Sequence, residues 1–151
     1  MATRSNIAYK TPEGKIRSVY CHWDGYPEHN GEMLRRYYTE ARKIAQMVEL
    51  GDQSIIASNV FPTVKTHSFN TPEEGVIIFY GRDRGESNTE AVEFDTVGEF
   101  VDYYTDSGCE FFYLHTASGW IVHDRYHVGQ DKNGFPIFDC LDVRVEGLDH
   151  A

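Results

Sequence analysis

Alternating apolar and polar positions mark the start of the chain and indicate extended structure. Residues 6–11 and 16–22 both alternate, and the Pro-Glu-Gly-Lys segment between them has the composition of a tight turn. These two segments are therefore predicted to form a β-hairpin. Because side chains alternate along a strand, Tyr20 and His22 share one face of the second strand, and Trp23 lies on the other.

A helical period replaces this alternation in the next part of the chain. Apolar side chains recur there at the spacing of an α-helix, at Leu34, Tyr37, Tyr38, Ala41, Ile44, Ala45 and Val48. Asn30 is a predicted N-cap, and Gly51 is a predicted glycine just beyond the last turn. Since Thr39 followed by Glu40 also has the composition of a helix start, the segment is predicted to form either one helix or two.

The remaining elements are mostly short strands. Residues 51–54 are expected to form a cap and turn, whereas the continuous apolar run at 76–80 predicts a buried strand. A second helix is predicted to begin at Asp95 or Thr96. Three further strands are predicted at residues 110–115, 120–126 and 135–145. This order predicts a single α+β domain over residues 1–151, with a mainly antiparallel sheet and helices packed on one side.

Composition narrows the classes of function. Hydrophobic residues make up 40% of the 151 positions, which is sufficient for a core. The formal net charge of -10 argues against direct nucleic-acid binding, which needs a basic surface. Aromatic residues reach 14%, which suits either a ligand pocket, an interface or a tyrosine-rich sheet core. The three cysteines are widely spaced and lack a CxxC pair, so reduced thiols in a cytoplasmic protein are expected, without a signal peptide or membrane span.

The segment 20–31, Tyr-Cys-His-Trp-Asp-Gly-Tyr-Pro-Glu-His-Asn-Gly, concentrates the residues that could form a site. His22 and Asp24 are two positions apart, which allows an acid–base pair in an extended chain. Trp23 and Tyr26 could stack against a flat ligand. The alternative is structural, with His22 as a satisfied buried polar residue and Asp24 in an Asx-turn.

A second cluster, Arg-Asp-Arg-Gly-Glu at residues 82–86, follows the predicted buried strand. Arg82 and Arg84 could hold a phosphate or carboxylate through their guanidinium forks. The alternative is an Arg–Asp/Glu network that closes the loop. If the two clusters meet, the expected ligand site comprises His22, Trp23, Asp24, Tyr26, Arg82 and Arg84.

Several chemistries are not indicated by the sequence. The seven histidines match no zinc or calcium spacing, and no metal or cofactor is expected. Two-histidine phosphoesterases need His-x-Thr/Ser twice, but here Ser68 directly follows His67 and Thr116 directly follows His115. No Walker A, GxGxxG, GxSxG or HExxH motif is present.

The chain resembles a group of small phage and bacterial proteins, most closely over residues 1–86. The shared features are the opening Thr-Arg-Ser-Asn-Ile-Ala, the His-Trp-Asp-Gly-Tyr-Pro turn, the Leu-Gly-Asp segment at 50–52 and the Arg-Asp-Arg-Gly-Glu segment. The resemblance implies a phage-type accessory protein that acts in the bacterial host cytoplasm.

The gene class favours a counter-defence binding protein without catalytic activity, which either inhibits a host protein or sequesters a small anionic, nucleotide-like ligand. One alternative is a small hydrolase that uses His22 and Asp24 on a phosphoester. Another is an acidic decoy that binds a host protein through its charge. A homo-oligomer is also possible for an aromatic-rich domain of this size.

Overall fold

The computed structural model describes residues 2–105, 107–126 and 128–144 and forms one mixed sheet with short helices. The strands are β1 (Ser5–Lys10), β2 (Ile16–Cys21), β3 (Gln53–Ile55), β4 (Ile78–Phe79), β5 (Val92–Phe94), β6 (Phe111–Thr116), β7 (Gly119–Asp124) and β8 (Asp139–Cys140). The helices are α1 (Glu32–Tyr37), α2 (Ala41–Glu49), α3 (Tyr80–Arg84) and α4 (Val97–Thr105), and a π-helical turn lies at Pro27–Gly31.

The sheet is mainly antiparallel, in the order β4-β3-β2-β1-β6-β7-β8, and β5 pairs with part of β2. The predicted hairpin is confirmed, because β1 and β2 pair antiparallel from Ser5 opposite Cys21 to Lys10 opposite Ile16. Two pairings are parallel, β1 with β6 and β2 with β3. The predicted α+β class in a single domain agrees with this architecture.

The helices pack on both faces of the sheet, which differs from the predicted one-sided arrangement. One buried cluster joins Ile7 and Val19 to Leu34 of α1 and to Ile44 of α2. The second cluster joins Ala8, the neighbour of Ile7 on β1, to apolar side chains of α4. Because consecutive strand residues face opposite sides, the two clusters lie on opposite faces. The apolar positions of α4 indicate which of its residues are buried, but they do not indicate on which face of the sheet the helix packs.

The helical region divides at residues 38–40, which confirms the two-helix alternative. Tyr38 ends α1 outside the helical conformation (φ -120°, ψ 67°), and Glu40 precedes α2 with extended backbone. Gly51 lies just beyond the end of α2, as predicted, and has a positive φ of 95°. The predicted N-cap at Asn30 was wrong, since Asn30 lies inside the π-helical turn and its buried side chain donates to Ser5 Oγ at 3.1 Å.

Several strand limits differ from the sequence-based predictions. The run at 76–80 contributes only the two residues of β4 before α3 begins, and the predicted strand at 135–145 contributes only the two residues of β8. The last position of that predicted strand, residue 145, lies outside the described residues. Pairing with β2 creates β3 and β5 in segments that were not predicted to be strands. Within the described part of the chain, no helix has the length and apolar character needed to span a bilayer.

The turn that follows β2 is anchored to the centre of the sheet through Gly25. Its N–H donates to Thr3 O at 2.8 Å, and its carbonyl accepts a buried hydrogen bond of 2.6 Å from the Tyr113 hydroxyl. A Cβ at this position would lie 2.8 Å from both Ser5 Cβ and Thr3 O, which is closer than packed atoms allow. The glycine is therefore required by the close approach of the N-terminal segment.

We expect Gly25→Ala to lower the free energy of unfolding by about 1–3 kcal/mol, because backbone must move to admit the methyl group. Chemical denaturation measures the change. Gly98→Ala is the matched control, because Gly98 lies in the first turn of α4 and a Cβ there would be 3.9 Å from its nearest neighbour. This substitution should be neutral or stabilising by up to about 1 kcal/mol. Equal effects of the two substitutions would contradict the packing explanation.

Candidate functional site

The turn at residues 23–26 exposes its aromatic side chains. Asp24 has a positive φ of 56°, and its Oδ1 accepts a hydrogen bond of 3.1 Å from the Tyr26 hydroxyl. Trp23 is 45% exposed and Tyr26 is 37% exposed. The carboxylate of Asp24 is thus directed to Tyr26, as expected for a residue that shapes the turn.

His22 is paired with Tyr20. The Tyr20 hydroxyl lies 2.7 Å from His22 Nδ1, and the Trp23 ring packs edge-on against the imidazole at 4.8 Å between centroids. Burial, with the positive charge of Arg4, lowers the pKa of His22 and keeps the ring neutral at pH 7. The contacts described for His22 and Asp24 therefore lead to two different tyrosines and do not form the acid–base pair.

Arg82 belongs to a buried network within its own segment. Its guanidinium donates to Val60 O at 2.6 Å, to Ile77 O at 3.0 Å and to both carboxylate oxygens of Asp83. Asp83 is also 3.2 Å from His67 Nε2, and both of these side chains are at most 3% exposed. His67 Nδ1 accepts the N–H of Glu73 at 2.9 Å, so both ring nitrogens are occupied. This is the loop-closing network that was the alternative to anion binding.

Arg84 points to a different place. Its guanidinium lies 4.5 Å from the centroid of the Phe69 ring and 4.0 Å from a carboxylate oxygen of Glu86. A cleft of about 360 Å³ is lined there by Ser68, Phe69, Asn70, Asp83 and Arg84. Arg84 is thus accessible to a ligand, whereas Arg82 is engaged by the protein.

The two predicted clusters are separated by β3. Cys21 of β2 pairs with Gln53 of β3, which in turn pairs with Phe79 of β4. Two strand spacings put β2 and β4 about 10 Å apart. Neither the contacts of Arg82 nor those of Arg84 reach His22 among the described residues, so a site that combines all six residues stays a prediction.

The second face of the sheet carries a cavity of about 500 Å³, which we call the tyrosine pocket. It is lined by Arg4, Tyr20, Asp52, Tyr103, Tyr104 and Ser107. Arg4 immediately precedes β1, Tyr20 is on β2, and Asp52 immediately precedes β3. Tyr103 and Tyr104 lie on α4 and pack edge-on at 4.8 Å between ring centroids. The sheet and α4 thus form two walls of one cavity.

Asp52 is a half-buried carboxylate beside the tyrosines. Its Oδ1 accepts the Tyr20 N–H at 2.9 Å. Burial raises the pKa of Asp52 to about 6, and the charge of Glu90 adds to this rise while the Tyr20 N–H opposes it. Within residues 2–105, 107–126 and 128–144, neither Asp52 nor Arg4 forms an ion pair.

Tyr20 connects the pocket to His22. Burial raises the pKa of Tyr20 to about 12, although the charge of Arg4 and a side-chain hydrogen bond with Arg4 oppose the rise. The phenol is therefore protonated at pH 7, and its hydroxyl forms a hydrogen bond of 2.7 Å with Nδ1 of His22. Among the contacts described for the predicted site residues, the hydrogen bond of His22 to Tyr20 reaches a lining residue of this pocket.

Sequence reasoning missed most of the tyrosine pocket. Asp52 was assigned to a cap and turn, and no role was assigned to Tyr104. The shared strand face of Tyr20 and His22 was a usable signal, because it placed a second polar aromatic residue beside the histidine. The contributions of Arg4 and Asp52 come from strand pairing and had no local signal.

Comparisons with known proteins add no family assignment, because no family model, curated protein or solved structure matches the chain. The resemblance to phage proteins thus rests on the motifs alone and stays a prediction. No group of three or more potential metal ligands occurs among the described residues.

The ionisation of Asp52 should lower stability as the pH rises. Its folded-state pKa is about 6, whereas the unfolded chain ionises near 4, so the penalty develops between these values. The shift corresponds to at most about 3 kcal/mol, and solvent screening reduces it to about 1 kcal/mol. We therefore expect Asp52→Asn to be about 1 kcal/mol more stable than wild type at pH 7.5, with the difference vanishing below about pH 4.

Urea denaturation across this pH range measures the effect, and Asn keeps an acceptor for the Tyr20 N–H. Asp95→Asn is the control, since Asp95 is an exposed carboxylate that pairs with Lys15 at the surface. Stability curves of wild type and Asp52→Asn that run parallel throughout would contradict the assignment.

The Asp83 network should stabilise the fold except in acid. Burial alone would raise the pKa of Asp83, but hydrogen bonds from Arg82 and the Phe79 N–H outweigh it and hold the pKa below its usual value. Because the pKa of Asp83 is lower in the folded than in the unfolded protein, its ionisation stabilises the fold at pH values above the unfolded-state pKa. This stabilisation is lost as the pH falls below about 4 and passes the folded-state pKa.

We expect Asp83→Asn to cost about 2–4 kcal/mol at pH 7, because it leaves Arg82 without its counter-charge. The loss should shrink as wild type is titrated below about pH 4. Thermal or urea unfolding measures both effects, and Asp95→Asn should cost less than about 1 kcal/mol. A cost at pH 7 no larger than that of the control would show that the network does not stabilise the fold.

Proposed function

We propose that this chain is a binding protein whose tyrosine pocket holds a small anionic, nucleotide-like ligand. The observation that carries the proposal is the cavity in which Arg4 and Asp52, each without an ion-pair partner among the described residues, line the same space with three tyrosines. Ligand pockets commonly combine a few convergent polar groups with a perturbed pKa and aromatic walls.

The anionic end of the ligand is assigned to Arg4. A guanidinium forms charge-assisted, bidentate hydrogen bonds with phosphate, and such bonds are stronger than those between neutral groups. Arg4 lies close enough to Tyr20 for its charge to act on the phenol, and the Tyr20 hydroxyl is hydrogen-bonded to His22. The protein has a negative net charge and does not attract anions in general, so the local charge of Arg4 would select the anionic ligand.

The planar part of the ligand is assigned to the tyrosines. Tyr103 is 57% exposed, and its ring is supported by Tyr104 and by Phe94 at 5.2 Å between centroids. Tyr104 is itself fixed, since its hydroxyl lies 3.0 Å from Ser18 Oγ. A rigid, exposed ring of this kind is a stacking platform for a base. The cavity volume of about 500 Å³ is within the range of small-molecule sites.

The other functional expectations stay predictions that rest on the motif resemblance. They are the phage origin, counter-defence, action in the host cytoplasm and inhibition of a host protein. Self-association also stays a prediction, which rests on the aromatic-rich composition. The hydrolase alternative gains no support from the contacts of His22 and Asp24, which lead to separate tyrosines.

Arg4→Gln should weaken nucleotide binding by about tenfold or more, because it removes the charge-assisted contact to phosphate. Isothermal titration calorimetry and thermal-shift assays with nucleoside monophosphates measure this effect. Arg84→Gln is the matched control and should leave affinity unchanged, because Arg84 lies in the cleft beside Phe69. Tyr103→Ala should also reduce affinity through lost stacking.

Two results would overturn the proposal. One is that no nucleoside monophosphate binds the folded wild-type protein. The other is that Arg84→Gln weakens binding while Arg4→Gln does not, which would move the ligand to the cleft beside Phe69.

A further inference from the structure

Asp52 contributes a hydrogen-bond acceptor to the wall of the tyrosine pocket. Oδ1 accepts the Tyr20 N–H, and no described residue donates to the second carboxylate oxygen, Oδ2. Asp52 is one of the residues that line the cavity, so a ligand there can approach its carboxylate. An ionised carboxylate only accepts hydrogen bonds, so a ligand group that lies against it has to be a donor to form one.

The surroundings of Asp52 do not supply that donor. The charged and titratable groups near it are Glu90, Tyr20, Tyr104 and Cys109, and Arg4 lines the same cavity without an ion pair to Asp52 among the described residues. Glu90 has the same charge, the Tyr104 hydroxyl is paired with Ser18, and burial raises the pKa of the Cys109 thiol to about 12. A carboxylate left half-buried in this way gains most from a ligand N–H group.

Resting on the proposed function, we propose that the tyrosine pocket selects nucleotides whose base carries an exocyclic amino group, as adenine and cytosine do. Arg4 holds the phosphate, a tyrosine ring stacks on the base, and Asp52 Oδ2 accepts from the amino group. A base with a carbonyl at the same place presents an acceptor to an acceptor, which is repulsive. The pocket thus discriminates amino from keto bases, as carboxylates do when they accept from cytosine N4.

The test compares matched pairs of ligands, CMP against UMP and AMP against IMP, by calorimetry at pH 7.5. The nucleotide with the amino group should bind at least about tenfold more tightly than its keto counterpart, since the keto base leaves the Asp52 acceptor unpaired. Asp52→Asn should abolish or invert the preference, because the amide Oδ1 keeps the Tyr20 N–H and turns its NH₂ to the ligand. Asp95→Asn should preserve it.

A second arm uses pH with the wild-type protein. The preference should weaken at about pH 5, where a protonated Asp52 can donate to a carbonyl. The phosphate titrates equally in both members of a pair, so its contribution cancels. Asp52→Ser, which removes the carboxylate without adding an amide, should abolish the preference without inverting it.

The outcomes separate the two proposals. If all four nucleotides bind equally and Arg4→Gln weakens each, the binding function stands and the amino selectivity is overturned. Selectivity that persists in Asp52→Asn also overturns the role of Asp52. If none of the four binds to the folded protein, both proposals fail.

Discussion

Strand β1 is hydrogen-bonded on both sides, antiparallel to β2 and parallel to β6, and the rest of the molecule depends on these two pairings. They place Ile7 in one core and Ala8 in the other, so a single strand anchors both layers of helices. They also fix the ends of the tyrosine pocket, because Arg4 precedes β1 and Tyr20 lies opposite Asn6 on β2. The site is thus a product of the central strand pairing.

The turn after β2 has a structural role beside this strand. Gly25 binds the segment before β1 and the Tyr113 hydroxyl from β6, while Asn30 contacts Ser5 and Cys21 in the interior. Much of the cluster of polar and aromatic residues in this turn therefore serves to anchor the turn to β1 and β6. Its contribution to the pocket is made through His22, which holds the Tyr20 hydroxyl in place.

Sequence patterns predicted the elements whose stability is local. The β1–β2 hairpin has alternation and a turn, and α2 has a helical period. By contrast, β3 has three residues and is a strand because Gln53 pairs with Cys21 and Phe79. The pocket has the same origin, because Asp52 meets Tyr20 across 32 positions of sequence, and Tyr104 meets Ser18 across 86. No local pattern encodes contacts of this kind.

The outermost strands of the sheet, β4 and β8, have only two residues each. An exposed edge is a template on which another chain can add a strand, and long, flat edges promote aggregation. Edges this short offer very few backbone groups to a passing strand. These two strands therefore give little backbone for edge-to-edge pairing, and contact between molecules through them would have to rely on side chains.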